Sequence, residues 1–129
     1  MYEVHGSPIL HHCRRCGDEK TFSQILEMRK TAEVPRCACG GVYKPDITFF
    51  GEMLPEAAFA GAQRLALASD VFLVLGTSLT VYPAAGLPEL ALRAGAKLFI
   101  VNAQPTGLDG RAAGVYRDLA AFADRILAL

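Results

Sequence analysis

The 129-residue sequence contains no tryptophan, no excess of either charge and no long apolar run. Thirteen lysines and arginines balance thirteen aspartates and glutamates. Neither sign gathers into a stripe, so the electrostatic footprint of a direct nucleic-acid binder is missing. A membrane span needs roughly 18 consecutive apolar residues, and no stretch approaches that. The opening MYEVHGSPIL has no basic segment followed by an apolar one, the mark of a secretion signal. The expectation is a soluble, cytoplasmic protein with no membrane partner. Internal repeats and low-complexity segments are absent too, as is a glycine-rich G-x-G-x-x-G stretch for holding a dinucleotide pyrophosphate.

What is present falls into two textures. Residues 11–44 are polar and carry all four cysteines, with few side chains for a contiguous core, so this part needs a staple. Without a secretion signal, two close cysteine pairs argue for a metal more than for disulfides, because intracellular thiols stay reduced. Cys13-Arg14-Arg15-Cys16-Gly17 reads as a zinc knuckle, its glycine relieving the tight turn. With Cys37-Ala38-Cys39-Gly40-Gly41 it supplies four thiolates, enough for a closed tetrahedral site of the structural kind. The second pair is one residue shorter than the usual C-x-x-C. That leaves open the replacement of one thiolate by His11 or His12, a weak site, unliganded thiols or a disulfide.

From Pro55 onward, helix-like and strand-like segments alternate. Residues 55–68 are rich in Ala and Leu at helical spacing, with Pro55 at a plausible first helical position. The uninterrupted apolar runs 71–75 and 97–101 suit parallel strands covered on both faces. Between them a helix is expected over residues 84–93, closed by Gly95. A short strand at 115–117 and an amphipathic helix at 119–129 would complete the chain. Two or three such strands with so few helices leave an edge and much of one face bare, so the chain reads as truncated. More sheet would come from a partner, a second copy or an absent segment. The expected fold class is α/β: a partial Rossmann-like parallel sheet, about half of a doubly wound domain, formed by residues 1–10 and 45–129. Residues 11–44 would form a small zinc-ribbon-like module.

Several residues can carry chemistry. His5 taken alone is an ordinary surface histidine, and Phe49-Phe50-Gly51-Glu52 alone would be core aromatics. Gly76-Thr77-Ser78 follows a parallel strand, at the strand end where open α/β sheets bind ligands, and its amides and hydroxyls suit a phosphate or ribose. Asn102 ends the next strand in the same way, although taken alone it is better explained as a helix or turn cap.

In order along the chain, these pieces resemble the sirtuin family. The matching segments are Glu3-Val4-His5-Gly6-Ser7, the two cysteine pairs, residues 44–52 (KPDITFFGE), residues 76–85 (GTSLTVYPAA) and Val101-Asn102. The resemblance implies an NAD-dependent protein lysine deacylase that releases nicotinamide and O-acyl-ADP-ribose, with a structural zinc held by Cys13, Cys16, Cys37 and Cys39. It implies His5 as general base. Thr48, Phe50, Gly51 and Glu52 would hold the acyl-lysine peptide, and Val81 would pack beside the acyl chain. Gly76, Thr77, Ser78 and Asn102 would hold the adenosine and ribose parts of NAD, with Asp118 and Leu119 bordering the adenine. The family's glycine-rich phosphate loop would precede His5, so the 129 residues alone are expected to be inactive. A zinc-stabilised interaction module without catalysis is the competing reading. A dehydrogenase fragment is disfavoured, because its glycine-rich first turn is missing. The bare sheet edge points to self-association.

Overall fold

Thr21 is where the polar half of the chain first commits to regular structure. Its hydroxyl accepts the Gln24 amide at 3.3 Å, and the Gln24 side-chain oxygen accepts the Thr21 amide at 2.8 Å. This reciprocal cap starts helix α1 (Phe22–Arg29). On either side lie strands β1 (Gly6–Cys13), β2 (Glu19–Thr21) and β3 (Tyr43–Ile47), an antiparallel sheet in the order β2-β1-β3. The structure, a computed structural model, describes residues 1–128 and divides into two compact units, Met1–Ala58 and Phe59–Leu129.

The first unit holds few buried side chains: His11, Cys13, Ile25 and Cys37. His11 and Cys13 are two apart on β1 and so share a face. The texture of residues 11–44 concealed β2, α1 and the last three residues of β1. β1 and β3 also run unbroken across the positions, 10/11 and 44/45, where the sequence suggested domain ends. The pairing does change there: Ser7 faces Asp46, but the next pair is His11 with Pro45. Residues 8–10 are therefore extra on the β1 side, a bulge at the expected boundary.

In the second unit, β4 (Val71–Leu75), β5 (Lys97–Val101) and β6 (Gly114–Tyr116) make a parallel sheet in that order. This is the partial Rossmann-like sheet read from the sequence. Helix α2 (Glu56–Leu67) leads into β4, α3 (Gly86–Arg93) connects β4 to β5, and α4 (Leu119–Leu127) follows β6. The first two strands fall where the apolar runs placed them, and the third is one residue earlier. Pro55 precedes α2 and does not open it. α3 starts two residues later than expected, because Ala85 is still bonded back to the Val81 carbonyl in a turn. Gly95, at φ +101°, follows the α3 cap in the left-handed region where glycine is favoured. Leu129, the expected end of the last helix, lies outside the described residues.

Val74, Leu98, Ile100 and Leu108 form one core cluster, with Phe72 and Leu92 against it. Ala66 of α2, Ala91 of α3 and Ala96 form a second, with Phe72, Leu87 and Leu90 packed against it. The bare face expected of a sheet with so few helices is found on β4. Its Val71, Leu73 and Leu75, alternate residues on one face, remain 57%, 43% and 52% exposed. Among the described residues only the Phe72 and Val74 face of β4 is packed. No helix among them is long and apolar enough to cross a membrane.

Candidate functional site

The four cysteines converge from two turns. In the first, the Gly17 amide donates to the Cys13 carbonyl at 2.9 Å and the Arg15 amide points at the Cys13 sulfur at 3.5 Å. In the second, the Gly40 amide donates to the Cys37 carbonyl at 2.8 Å. The first loop closes over four residues and the second over three. The unusual Cys37-Ala38-Cys39 spacing is thus absorbed by a tighter turn, with Gly17 at φ +76° and Gly40 at φ +83°. Gly41 has no room for a side chain: a Cβ there would meet the Arg15 Cβ at 2.8 Å and strike the Cys13 sulfur.

Sγ of Cys13 lies 3.5 Å from that of Cys39, and Sγ of Cys16 lies 3.6 Å from that of Cys37. All four sulfurs are within 4.8 Å of one another. Zinc–sulfur bonds of about 2.3 Å in a tetrahedron set sulfur–sulfur edges of about 3.8 Å, so the donor set fits a structural zinc. Acidity agrees. The Cys39 amide and the Tyr43 hydroxyl hold the Cys37 thiol down at about 6. Although the Gly41 amide faces Cys39, the Cys16 sulfur beside it pushes the Cys39 thiol up to about 12. Four thiolates this close repel each other, and a divalent cation lets all of them ionise.

All four thiols are free. Neither neighbouring histidine joins the cluster. His12 bonds through Nδ1 to Asp46 at 2.7 Å and lies 3.4 Å from Glu19 through Nε2. His11 is buried against the Phe22 ring, its Nδ1 without a partner.

His5 is exposed, in the turn before β1, and its carbonyl accepts the Thr48 amide at 2.9 Å. Gly6, at φ +74°, pairs with Ile47 so closely that a Cβ would collide with the Asp46 carbonyl oxygen. The expected base is therefore tied by backbone to the start of the expected peptide segment. In that segment Phe50 projects freely, at 95% exposure. Glu52 behaves differently: its carboxylate accepts the Phe49 amide at 2.9 Å and pairs with Lys44 at 2.9 Å.

In the second unit, Leu75, Val101 and Tyr116 are register partners across the parallel sheet. Gly76, Asn102 and Arg117 leave these strands at one level, and Gly76 bonds to the Val101 carbonyl and Asn102 to the Tyr116 carbonyl. Thr77 and Ser78 follow in an exposed loop, where the Ser78 and Thr80 hydroxyls are 2.9 Å apart. Val81 is exposed in the same loop. Asp118 caps α4 by accepting the Ala121 amide, and the Leu119 side chain lies beside Gly76. Seven of the expected residues thus gather in this unit, six of them where three strand ends meet, while His5, Thr48, Phe50, Gly51, Glu52 and the cysteines belong to the first.

Two residues went unassigned in the sequence reading. Lys44 joins Glu52. Arg117 spans the loop after β5, donating to the Asn102 and Gln104 carbonyls at 3.3 and 3.1 Å and pairing with Asp109 at 2.5 Å. A lone basic residue in a polar stretch gives no signal of such a partner.

The Sir2 family model matches residues 1–83. The chain is 46% identical over 110 residues to "NAD-dependent protein deacetylase 1" of Pyrobaculum aerophilum, covering 84% of this chain and 43% of that protein. It is 44% identical over 125 residues to "NAD-dependent protein deacylase" of Mycobacterium tuberculosis, covering 95% of this chain and 53% of that one. A solved structure of Sir2 with a p53 peptide and NAD+ superposes with a TM-score of 0.95 at 38% identity, covering 98% of this chain and 54% of the other. The chain spans about half the length of the curated relatives it matches. With the family model covering well over half of its residues, this chain belongs to the Sir2 family.

Proposed function

We propose that these residues act within an NAD-dependent protein lysine deacylase whose products are free lysine, nicotinamide and O-acyl-ADP-ribose. The observation that carries this reading is the tie between His5 and Thr48, which puts an exposed imidazole at the head of the peptide segment. The likeness of names and structures among relatives supports it. When bound, NAD supplies an electrophilic ribose carbon and nicotinamide as its leaving group. His5, open to solvent, takes the proton of a ribose hydroxyl. Thr48, Phe50, Gly51 and Glu52 hold the acylated lysine, and Val81 packs beside its acyl chain. Gly76, Thr77, Ser78 and Asn102 hold the adenosine and ribose at the strand ends, with Asp118 and Leu119 bordering the adenine. Zinc on Cys13, Cys16, Cys37 and Cys39 is structural, since four protein ligands leave no open position.

In the complete fold we assign residues 1–10 and 45–129 to the nucleotide-binding domain and 11–44 to the zinc module. The 129 residues hold no glycine-rich phosphate loop, so full NAD binding calls on the remaining length of the family. We place the protein in the cytoplasm, with acylated proteins as partners and neither nucleic acid nor membrane. Self-association would run through the open edge of β4, with its exposed Val71, Leu73 and Leu75.

The test is NAD-dependent removal of acetyl from an acetyl-lysine peptide by the complete protein. His5→Ala should lower the rate by about 10²- to 10⁴-fold, the usual worth of a general base, with NAD affinity kept. Undiminished turnover would remove His5 from the chemistry. Absence of any nicotinamide release by the unaltered protein would overturn the reading.

A further inference from the structure

Lys44 carries a charge that the reaction does not use and the zinc site does not need. Its side chain is only 19% exposed. An ammonium so placed must find acceptors for its three protons. It has them within one short stretch: the Ile47 carbonyl at 2.6 Å, the Glu52 carboxylate at 2.9 Å and the Pro45 carbonyl at 3.4 Å. It also sits 4.3 Å from the Phe49 ring centroid, within cation–π range. Glu52 in turn holds the Phe49 amide. Every partner of Lys44 lies between residues 45 and 52, so the lysine closes the loop on itself.

Resting on the deacylase reading, we propose that Lys44 is a positioning residue for the acyl-lysine segment, and that Glu52 serves as its staple and does not meet the peptide through its carboxylate. The chain of contacts explains how an exposed loop keeps one shape. Lys44 fixes the Ile47 carbonyl and Glu52, and Glu52 fixes Phe49. Thr48, between the two anchors, is held to His5. Phe50, next to Phe49, is left projecting with nothing of its own to hold it. Losing the ammonium releases both ends of residues 47–52 at once.

Glu52 gives a direct reporter. The Phe49 amide, the Lys44 ammonium and the more distant charge of Arg14 hold its carboxyl below its usual range. In the zinc-loaded 129-residue chain, held at neutral pH where the thiolates keep their metal, exchange of the Phe49 amide reports the staple. The same samples are then titrated with an acetyl-lysine peptide. In Lys44→Met Phe49 amide exchange should quicken, and peptide affinity should fall about tenfold, the scale expected for loss of a charged hydrogen bond. Resonances of β4 to β6 should stay in place. Glu52→Gln should free the Phe49 amide in the same way, and the double variant should add little to either single one.

Phe49 amide exchange that does not change in Lys44→Met overturns the staple. Exchange that quickens while peptide affinity stays equal to the unaltered chain overturns the positioning role alone. If the unaltered chain shows no response of residues 48–52 to the peptide, the deacylase reading of this segment falls, and the positioning role with it.

Discussion

The two units of this chain solve the same problem with different materials. Phe59–Leu129 buries Val74, Leu98, Ile100, Val101 and Leu108 behind a parallel sheet, whereas Met1–Ala58 buries one aliphatic side chain, Ile25. A unit with so little apolar burial recovers too little hydrophobic free energy to offset the entropy of ordering its chain. Its substitute is local: two glycine-relieved turns that bring four sulfurs together. Metal binding is then folding free energy in one unit and irrelevant to the other.

Zinc removal should separate them most sharply. Chelation, or Cys37→Ser, withdraws a contribution on the order of 10 kcal/mol from the first unit. Hydrogen exchange should show β1, β2 and β3 losing protection while β4 and β5 keep theirs. Simultaneous loss in both would mean that the sheet of the second unit depends on the metal after all. Ile100→Ala is the reverse probe. Ile100 is fully buried, and truncation should cost about 2–5 kcal/mol. Thermal unfolding should move accordingly, with zinc affinity unchanged when measured by competition with a chromophoric chelator.

The same contrast decides what could be read from sequence. β4 and β5 were legible to the residue because an unbroken apolar run has few other uses, and the four cysteines because thiols at that spacing have a chemistry of their own. β1 and β3 were hidden: GSPILHHC and YKPDI have neither strict alternation nor β-branched enrichment, and their pairing is set by Gly6 and a bulge at residues 8–10. The exposed face of β4 was legible for the same reason as the strand itself. Its sequence demands cover that the described residues do not provide. Within the candidate site, residues with a chemistry of their own were found, while the parts played by Lys44 and Arg117 were not, since these lie in the backbone carbonyls and carboxylates that folding brings to them.

Gly6 offers a finer break within the first unit. Alanine there meets both a left-handed φ and the Asp46 carbonyl, so Gly6→Ala should cost about 1–3 kcal/mol. The effect should be confined to the end of the ribbon: faster exchange of the Thr48 amide, with zinc affinity retained. Loss of zinc in this variant would show that the strain travels along β1 to Cys13.

The smallest effect tests whether the strand-end loop of the second unit has its own fastening. Arg117 pairs with Asp109 and reaches the Asn102 and Gln104 carbonyls, while Asp109 also accepts the Thr106 hydroxyl at 2.7 Å. Arg117 first, then Thr106, holds the Asp109 carboxyl below its ordinary 3.8. A carboxylate depressed in the folded state stabilises fully above its unfolded value, and that contribution fades as pH falls below 3.8 through the folded value. Exchange of the Thr106 and Leu108 amides should therefore quicken below that point, faster than exchange of β5. In Asp109→Asn the acid step should vanish. The pair is half open to solvent, so salt should weaken it as well. Because acid also strips metal from thiolates, the comparison must be read residue by residue: loss in the first unit reports the cysteines, and only a step confined to residues 102–109 reports Asp109. A loop that loosens equally in Asp109→Asn would mean that the backbone turns alone hold Asn102 at the strand end.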